Sequence, residues 1–402
     1  MEKKSLSNFF EDFLEKDSIF LNRSVLLSSF MPHAVLYRED EINQIASILA
    51  PSLKRERPSN LFVYGNTGTG KTLSIKHITS NLREIASKKQ IPLTIVYVNC
   101  KLKRVADTEY RLIAHIASSF GKALPSTGLP TDEIYRAFHS ALEKMEGTTL
   151  IVLDEIDQLI KKAGDDVLYN LTRSNEELQN TQIGIIGISN DTTFMDQLDI
   201  RVKSSLSEEN IFFAPYNAIQ MQQILKDRSK TAFNPEGLDP GVIEKCAAFA
   251  AREHGDARKA IELLRVSGEL AERSGSKKVT LNFLDEAQEK LEKEKIFDII
   301  KSQPKQFQTV LYSILTLKPT IEAAYTGDIY DLYNKICFKV GLRPLTQRRV
   351  SDIIREFEQM GIINTRTISK GRYGRTREIQ ISISQSTRPQ AKKILEEQLE
   401  IN

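Results

Sequence analysis

The stretch Leu61–Ser74, LFVYGNTGTGKTLS, decides the fold. Four apolar or aromatic residues, Leu61–Tyr64, read as a short buried strand, and Gly65-Asn66-Thr67-Gly68-Thr69-Gly70-Lys71-Thr72 follows it with the spacing G-x-x-x-x-G-K-[ST]. A helical pattern continues to about Ser87. Strand, glycine loop and helix in that order make a phosphate cradle. Glycines let backbone N–H groups turn inward on an anion, and the helix N-terminus adds a positive dipole. Gly65, Gly68, Thr69 and Gly70 supply the loop, Lys71 reaches the β/γ-phosphates, and the Thr72 hydroxyl is a ligand for Mg²⁺. The cofactors expected are therefore ATP or ADP and Mg²⁺.

Further strands are read at LTIVYVNC (93–100), TTLIVLDE (148–155), TQIGIIGISN (181–190) and NIFFAPY (210–216), with helical segments between them. The segment 101–147 reads as helical, broken at GKALPSTGLP. This alternation predicts an α/β fold with a parallel sheet covered on both faces. In LIVLDEID, Asp154 emerges at the C-terminal end of a buried strand, where such sheets bind ligands. Asp154 is expected to hold Mg²⁺ through water, and Glu155 to orient or deprotonate the attacking water. Asp157 reads as a helix cap or a solvated charge. Asn190, in IIGISND, is either a hydrogen-bonding partner of the γ-phosphate or the water, or a helix cap or turn residue. Arg201 in LDIRVKSSL is either an arginine finger toward a neighbouring molecule's ATP or a surface ion-pair partner.

Length and composition frame the rest. At 402 residues, 40% hydrophobic and 27% charged, the chain is ordinary for a globular protein of two or three domains. No run of 18 apolar residues and no signal-peptide core is seen, so no membrane partner is expected and the location predicted is cytoplasmic, on the nucleoid. Cys100, Cys246 and Cys337 are too scattered for disulfides or zinc, and the five histidines show no ligand spacing. The net charge is +3, but residues 296–402 carry 17 basic and 11 acidic side chains, and the window 343–377 has 9 and 3. A basic patch on a near-neutral body implies a polyanion partner at one end.

That end has its own pattern. In PLTQRRVSDIIREFEQMG, Val350, Ile353, Ile354, Phe357 and Met360 share one helical face at about 100° per residue. Arg348 and Arg355 point nearly the opposite way, Arg349 sits on the flank, and Thr346 is placed to cap the start, with Gln347 beside it. A hairpin, GIINTRTISKGRYGRTREIQISIS, follows. Helices near 304–317, 328–340 and 346–360 with this hairpin read as a winged helix. Arg348 is the candidate for guanine edges; Lys370, Arg372, Arg375 and Arg377 suit phosphates, and Tyr373 a sugar or base edge.

Phosphate loop, acidic strand end, Asn190 and Arg201 in this order resemble an AAA+ ATPase. The resemblance implies that Arg258, in HGDARKAIELLR (254–265), is a second sensor arginine on a helical lid. It likewise implies that Tyr216 and Arg228, in APYNAIQMQQILKDR, contact the nucleotide, against core packing for the tyrosine and a surface charge for the arginine. The whole order is similar to the archaeal initiators of DNA replication, relatives of the origin recognition complex's largest subunit and of its helicase-loading partner. GNTGTGKT, LIVLDEID, LTQRRVSDII and SKGRYGRT carry the likeness over residues 20–390. It implies a tail (1–20), an ATPase base (21–216) with an initiator-type helical insertion near 101–125, a lid (217–295) and a winged-helix domain (296–402). In the insertion, Lys101, Lys103 and Arg104 are candidates for DNA contact, or else solvated charges. VLYRE stands where the family has LPHRE, and Ile200 where proline is usual.

The function so implied is ATP-dependent recognition of a double-stranded origin, with slow, switch-like hydrolysis. Paralogous initiator subunits and the replicative helicase are the expected partners, and ATP is expected to set the angle between ATPase, lid and winged helix. A branch-migration motor shares the domain order, and a signalling NTPase with a scaffold winged helix is a third reading. The insertion and SKGRYGRT disfavour the motor, and the terminal basic hairpin disfavours the signalling protein.

Overall fold

The computed structural model describes residues 18–32, 34–102, 105–125, 128–206, 208–317, 324–369 and 375–401. Lys103, Arg104, Lys370, Arg372 and Tyr373 lie outside the described residues. The chain forms two compact units that divide after Leu284, within the helix Leu281–Ser302.

The first unit holds a five-stranded sheet of β1 (Asn60–Tyr64), β2 (Leu93–Asn99), β3 (Gly147–Asp154), β4 (Thr181–Ser189) and β5 (Glu208–Phe212). All pairs are parallel, in the order β2-β3-β4-β1-β5. Side chains alternate between the faces, and both faces are buried. Leu150, Val152, Ile186 and Ile188 pack toward Ile75, Ile78 and Leu82 of the helix Lys71–Lys89. Ile151, Leu153, Ile183 and Ile185 pack toward the other layer, which includes helices Glu109–Ser119 and Thr131–Leu142. Two-sided burial is why these strands read as continuous apolar runs. The helix Glu109–Ser119 is capped by Thr108, whose side chain accepts from Arg111 N, and sinks Leu112, Ile113 and Ile116 into that layer.

Helices Ala218–Ala232, Val242–Arg252 and Ala257–Arg273 form the helical part of this unit. Its opening is fixed by a capping box at Asn217 and Gln220. Residues 18–26, divided by sequence between tail and ATPase base, pack on this helical part instead. Phe20 bridges Phe233 with ring centroids 4.8 Å apart, Leu21 N donates to Ala232 O, and Arg23 pairs with Glu272. Ile19 and Phe20 are buried there.

The second unit has helices Lys305–Thr316, Thr326–Lys339 and Gln347–Gln359, followed by β7 (Ile363–Ser369) and β8 (Arg375–Ile381) in antiparallel register. A two-residue β6 (Ala324–Tyr325) pairs on β8, giving the order β6-β8-β7. A last helix, Arg388–Leu399, which the sequence reading did not anticipate, adds Ala391, Leu395 and Leu399 to the core. Among the described residues the three cysteines are free and buried, and no helix is long and apolar enough to cross a membrane.

Candidate nucleotide site and DNA-facing helix

The phosphate loop runs from β1 into the helix Lys71–Lys89, whose N-cap is Gly70 at φ +94°. Gly68, at φ +75°, lies so close to the lid that a Cβ there would fall 1.7 Å from Asp256 Oδ1. The Gly68 carbonyl accepts from Ala257 N at 3.3 Å, so loop and lid touch backbone to backbone. Asp256 also caps the helix Ala257–Arg273, accepting from Arg258 N at 2.9 Å. The GDAR turn thereby meets the phosphate loop, and Arg258 stands beside the cleft.

Lys71 is 4% exposed, and its Nζ donates to the carbonyls of Gly65 and Asn66 at 2.8 and 2.7 Å. Burial, with the Arg258 cation behind it, lowers its pKa to about 8 against the pull of Asp154 and Asp256. The Thr72 hydroxyl is 3.3 Å from both oxygens of Asp154, which β3 delivers buried at its C-terminal end. Two hard oxygen donors converging beside a phosphate loop fit Mg²⁺, which takes its remaining ligands from phosphates and water. Among the described residues no group of three or more His, Cys, Asp or Glu is arranged to hold a metal without such help. Glu155 follows in the left-handed region, at φ +56°, a conformation costly for a residue with a Cβ and characteristic of functional turns. Its Oε2 lies 3.7 Å from Nζ of Lys101, which is exposed.

Asp157 is not solvated. It is 5% exposed, and its Oδ1 lies 3.4 Å from both Ser189 Oγ and Asn190 N. It ties the helix after β3 to the end of β4, where it fixes the backbone of Asn190. A carboxylate three residues past a buried strand cannot be told from a surface charge until the neighbouring strand end is placed.

Beside the loop is a cavity of about 780 Å³, bounded by the loop, residues 26–32 and 34–36, and the lid. Arg228 lines it, 9% exposed, yet its guanidinium is engaged elsewhere: Nη1 donates to Val25 O at 2.9 Å, and the group stacks 4.6 Å over Phe30. It holds the 18–36 segment in place and is not a surface charge. Tyr216 is 5% exposed and packs beneath Gly70, where a Cβ would meet its hydroxyl at 2.8 Å. Arg38 of VLYRE was missed by sequence. It is 4% exposed, donates from Nε to Thr69 O at 2.9 Å and from Nη2 to Ala214 O, pairs with Glu41, and lies 4.3 Å over Tyr216. Its place in VLYRE, which keeps the RE of LPHRE, was the available signal. Arg201 stands apart, 76% exposed and 3.1 Å from Asp199 at the start of the helix Ile200–Leu206, with Ile200 81% exposed.

In the second unit, Thr346 caps the helix Gln347–Gln359 through Arg349 N, and Val350, Ile353, Ile354 and Phe357 are buried. Glu358 accepts from Thr365 N and Oγ1 at 3.0 and 2.7 Å, fixing the helix against β7. On the exposed face, Arg349 pairs with Glu356 at 3.5 Å and Arg355 with Asp352 at 3.7 Å. Among the described residues, Arg348 is exposed and has no ion-pair partner. Arg377 is less available than its sequence context implied: one guanidinium nitrogen is buried without a hydrogen-bond partner.

Family models match three consecutive stretches: an AAA domain over residues 54–190, the Cdc6 AAA+ ATPase-type lid domain over 222–289, and the CDC6 C-terminal winged helix domain over 298–389. The ORC1-type DNA replication protein of Thermococcus onnurineus (strain NA1) is 49% identical to this chain, covering 96% of it and 93% of that protein. The chain belongs to the ORC1-type DNA replication protein family. A second ORC1-type relative, from Pyrococcus horikoshii, is 48% identical over 95% of the chain and 92% of its own length. The solved structure of the Aeropyrum pernix ORC1 protein in complex with DNA superposes with a TM-score of 0.82 at 40% identity, covering 95% and 98% of the two chains. The ORC1-type assignment makes this chain an AAA+ ATPase, for which nucleotide and Mg²⁺ use are the rule.

Proposed function

We propose that this ORC1-type chain is an ATP-dependent replication-origin recognition protein that helps recruit or load the replicative helicase. The observation that supports it best is one chain carrying both a phosphate-loop cleft closed by a lid and a helix whose exposed face offers Arg348, which has no ion-pair partner among the described residues. The A. pernix relative described in complex with DNA supports the same reading. In this reading Lys71 neutralises the β/γ-phosphates, Thr72 and Asp154 hold Mg²⁺, and bound Mg²⁺ supplies charge neutralisation at the phosphates. Glu155 takes the proton of the attacking water, with Asn190 orienting that water and Arg258 facing the γ-phosphate. Tyr216 and Arg228 brace the loop and the nucleoside wall. Arg201 acts on the ATP of a neighbouring initiator subunit, since its exposed side chain lies outside its own cleft.

Thr346, Gln347, Arg348, Arg349 and Arg355 face duplex DNA, with Lys370, Arg372, Tyr373, Arg375 and Arg377 along its backbone and Lys101, Lys103 and Arg104 adding contacts from the ATPase domain. Hydrolysis is slow and acts as a switch, and the protein works in the cytoplasm on the nucleoid. Footprinting of the full chain on its source genome, with ATP and with ADP, tests this. Protection of one discrete duplex site with slow turnover is expected. Rapid DNA-stimulated turnover without site preference would instead identify a motor.

A further inference from the structure

Asp154 is held at both oxygens. Glu155 N donates to Oδ1 at 3.0 Å from the same turn, and the Tyr97 hydroxyl donates to Oδ2 from the neighbouring strand. The register explains the reach. Tyr97 lies opposite Val152 and Asn99 opposite Asp154, so Tyr97 and Asp154 project from the same sheet face, two residues apart along paired strands. The ring is half-buried, packed with the cluster that holds Ile75 and Ile78 of the phosphate-loop helix, and Lys76 Nζ of that helix sits 5.0 Å from its centroid. The phenol therefore has little rotational freedom, and its one proton is committed to the carboxylate that faces Thr72. Val152, on the same face, has no polar group for that proton.

We propose that Tyr97 is a positioning residue for the metal: it sets the angle at which Asp154 presents its carboxylate beside Thr72. The inference rests on the nucleotide-site reading above. A carboxylate that ligates or orients a metal's water shell is aimed by its own hydrogen bonds, and loss of such a bond typically costs about 10–100-fold in metal affinity. Here one donor is backbone and beyond substitution, so the side-chain donor is the adjustable half of the pair.

The experiment compares the full chain with its Tyr97→Phe variant. Free Mn²⁺ is followed by electron paramagnetic resonance during titration into protein saturated with ADP, and ADP binding is measured separately in excess EDTA. The expected result is about a tenfold loss of Mn²⁺ affinity, with metal-free ADP affinity unchanged and no further loss when Tyr97→Phe is added to Asp154→Ala. An equal loss of metal-free ADP affinity would overturn the inference and make Tyr97 a packing residue. So would an additional Mn²⁺ effect in the Asp154→Ala background. Wild-type protein that binds Mn²⁺-ADP no better than the variant overturns this inference alone; wild-type protein that binds no ADP overturns the nucleotide reading with it.

Discussion

Arg38 Nε donates to the Thr69 carbonyl across 2.9 Å, so a residue from ahead of the first described α-helix holds the middle of the phosphate loop. The same guanidinium reaches Ala214 O beyond β5 and stacks on Tyr216. It fastens together the loop, the end of the sheet and the start of the lid. Replacing it leaves the buried Thr69 carbonyl, the part-buried Ala214 carbonyl and Glu41 without this donor. Arg38→Ala is expected to cost on the order of 3 kcal/mol of stability and to weaken ADP binding. Urea unfolding of the nucleotide-free protein measures the first, and a variant as stable as wild type would reduce Arg38 to a bystander.

The lid closes on Gly68 because nothing else fits. With φ at +75° and Asp256 Oδ1 1.7 Å from the place of a Cβ, an alanine there meets both backbone strain and a collision. Gly68→Ala should lower ADP affinity by tenfold or more while leaving the sheet intact. Adding Asp256→Ala should restore only part of it, since the collision with the carboxyl is relieved but the 2.9 Å approach to the Cα of residue 256, the backbone strain and the lost cap of Arg258 N remain. Calorimetric ADP titrations of the single and double variants test this. Full restoration would mean that the strain is negligible.

Lys71 links the site to pH. Its folded pKa, about 8, lies below the unfolded value near 10.5, so between those pH values the unfolded chain binds more protons than the folded one. Stability of the nucleotide-free protein therefore gains from this group as pH rises from about 8 to 10.5, and the burial penalty is at its full size below pH 8. Lys71→Met should accordingly be more stable than wild type at pH 7, by at most about 3 kcal/mol. The gap should narrow as pH rises through that window. With ADP the order reverses, because only the lysine has phosphates to gain. Unfolding at pH 7, 8, 9 and 10 decides it, and a pH-independent gap would contradict the assignment.

How much of this was readable beforehand follows from the range of each interaction. The sheet strands and the helix Gln347–Gln359 are marked by local apolar runs or by helical spacing, and β3 and that helix were both legible. Lys71, Thr72 and Asp154 sit in motifs whose spacing is itself the signal. Arg38, Asp157 and Asp256 were not legible, because each acquires its role from a partner far along the chain: Thr69, Asn190 and Gly68. Sequence gives the charge of such residues but not what faces it. The packing of residues 18–26 on the lid escaped notice for the same reason.

The final prediction concerns three arginines on one helix. Arg349 and Arg355 each have a carboxylate on the same helix within 4 Å, Glu356 and Asp352, whereas Arg348 has none among the described residues. An exposed pair holds a side chain only weakly, but its carboxylate cancels the net positive charge offered to a phosphate, and it must be broken before the guanidinium can dock on a base edge. Arg348 has no such competitor, and it sits in the first turn of a helix locked by Val350, Ile354 and Phe357 on the opposite side. Base-edge pairs are worth about 1–3 kcal/mol of discrimination, while phosphate contacts set affinity and its salt dependence. Arg348→Ala should therefore reduce the preference for the origin duplex over random duplex by roughly tenfold or more. Arg349→Ala and Arg355→Ala should weaken both duplexes alike and by less, and Glu356→Gln should strengthen both slightly by releasing Arg349. Binding isotherms on the two duplexes at three salt concentrations separate these outcomes. If Arg355→Ala lost discrimination and Arg348→Ala kept it, the middle of the helix rather than its N-terminal turn would be the part that reads sequence.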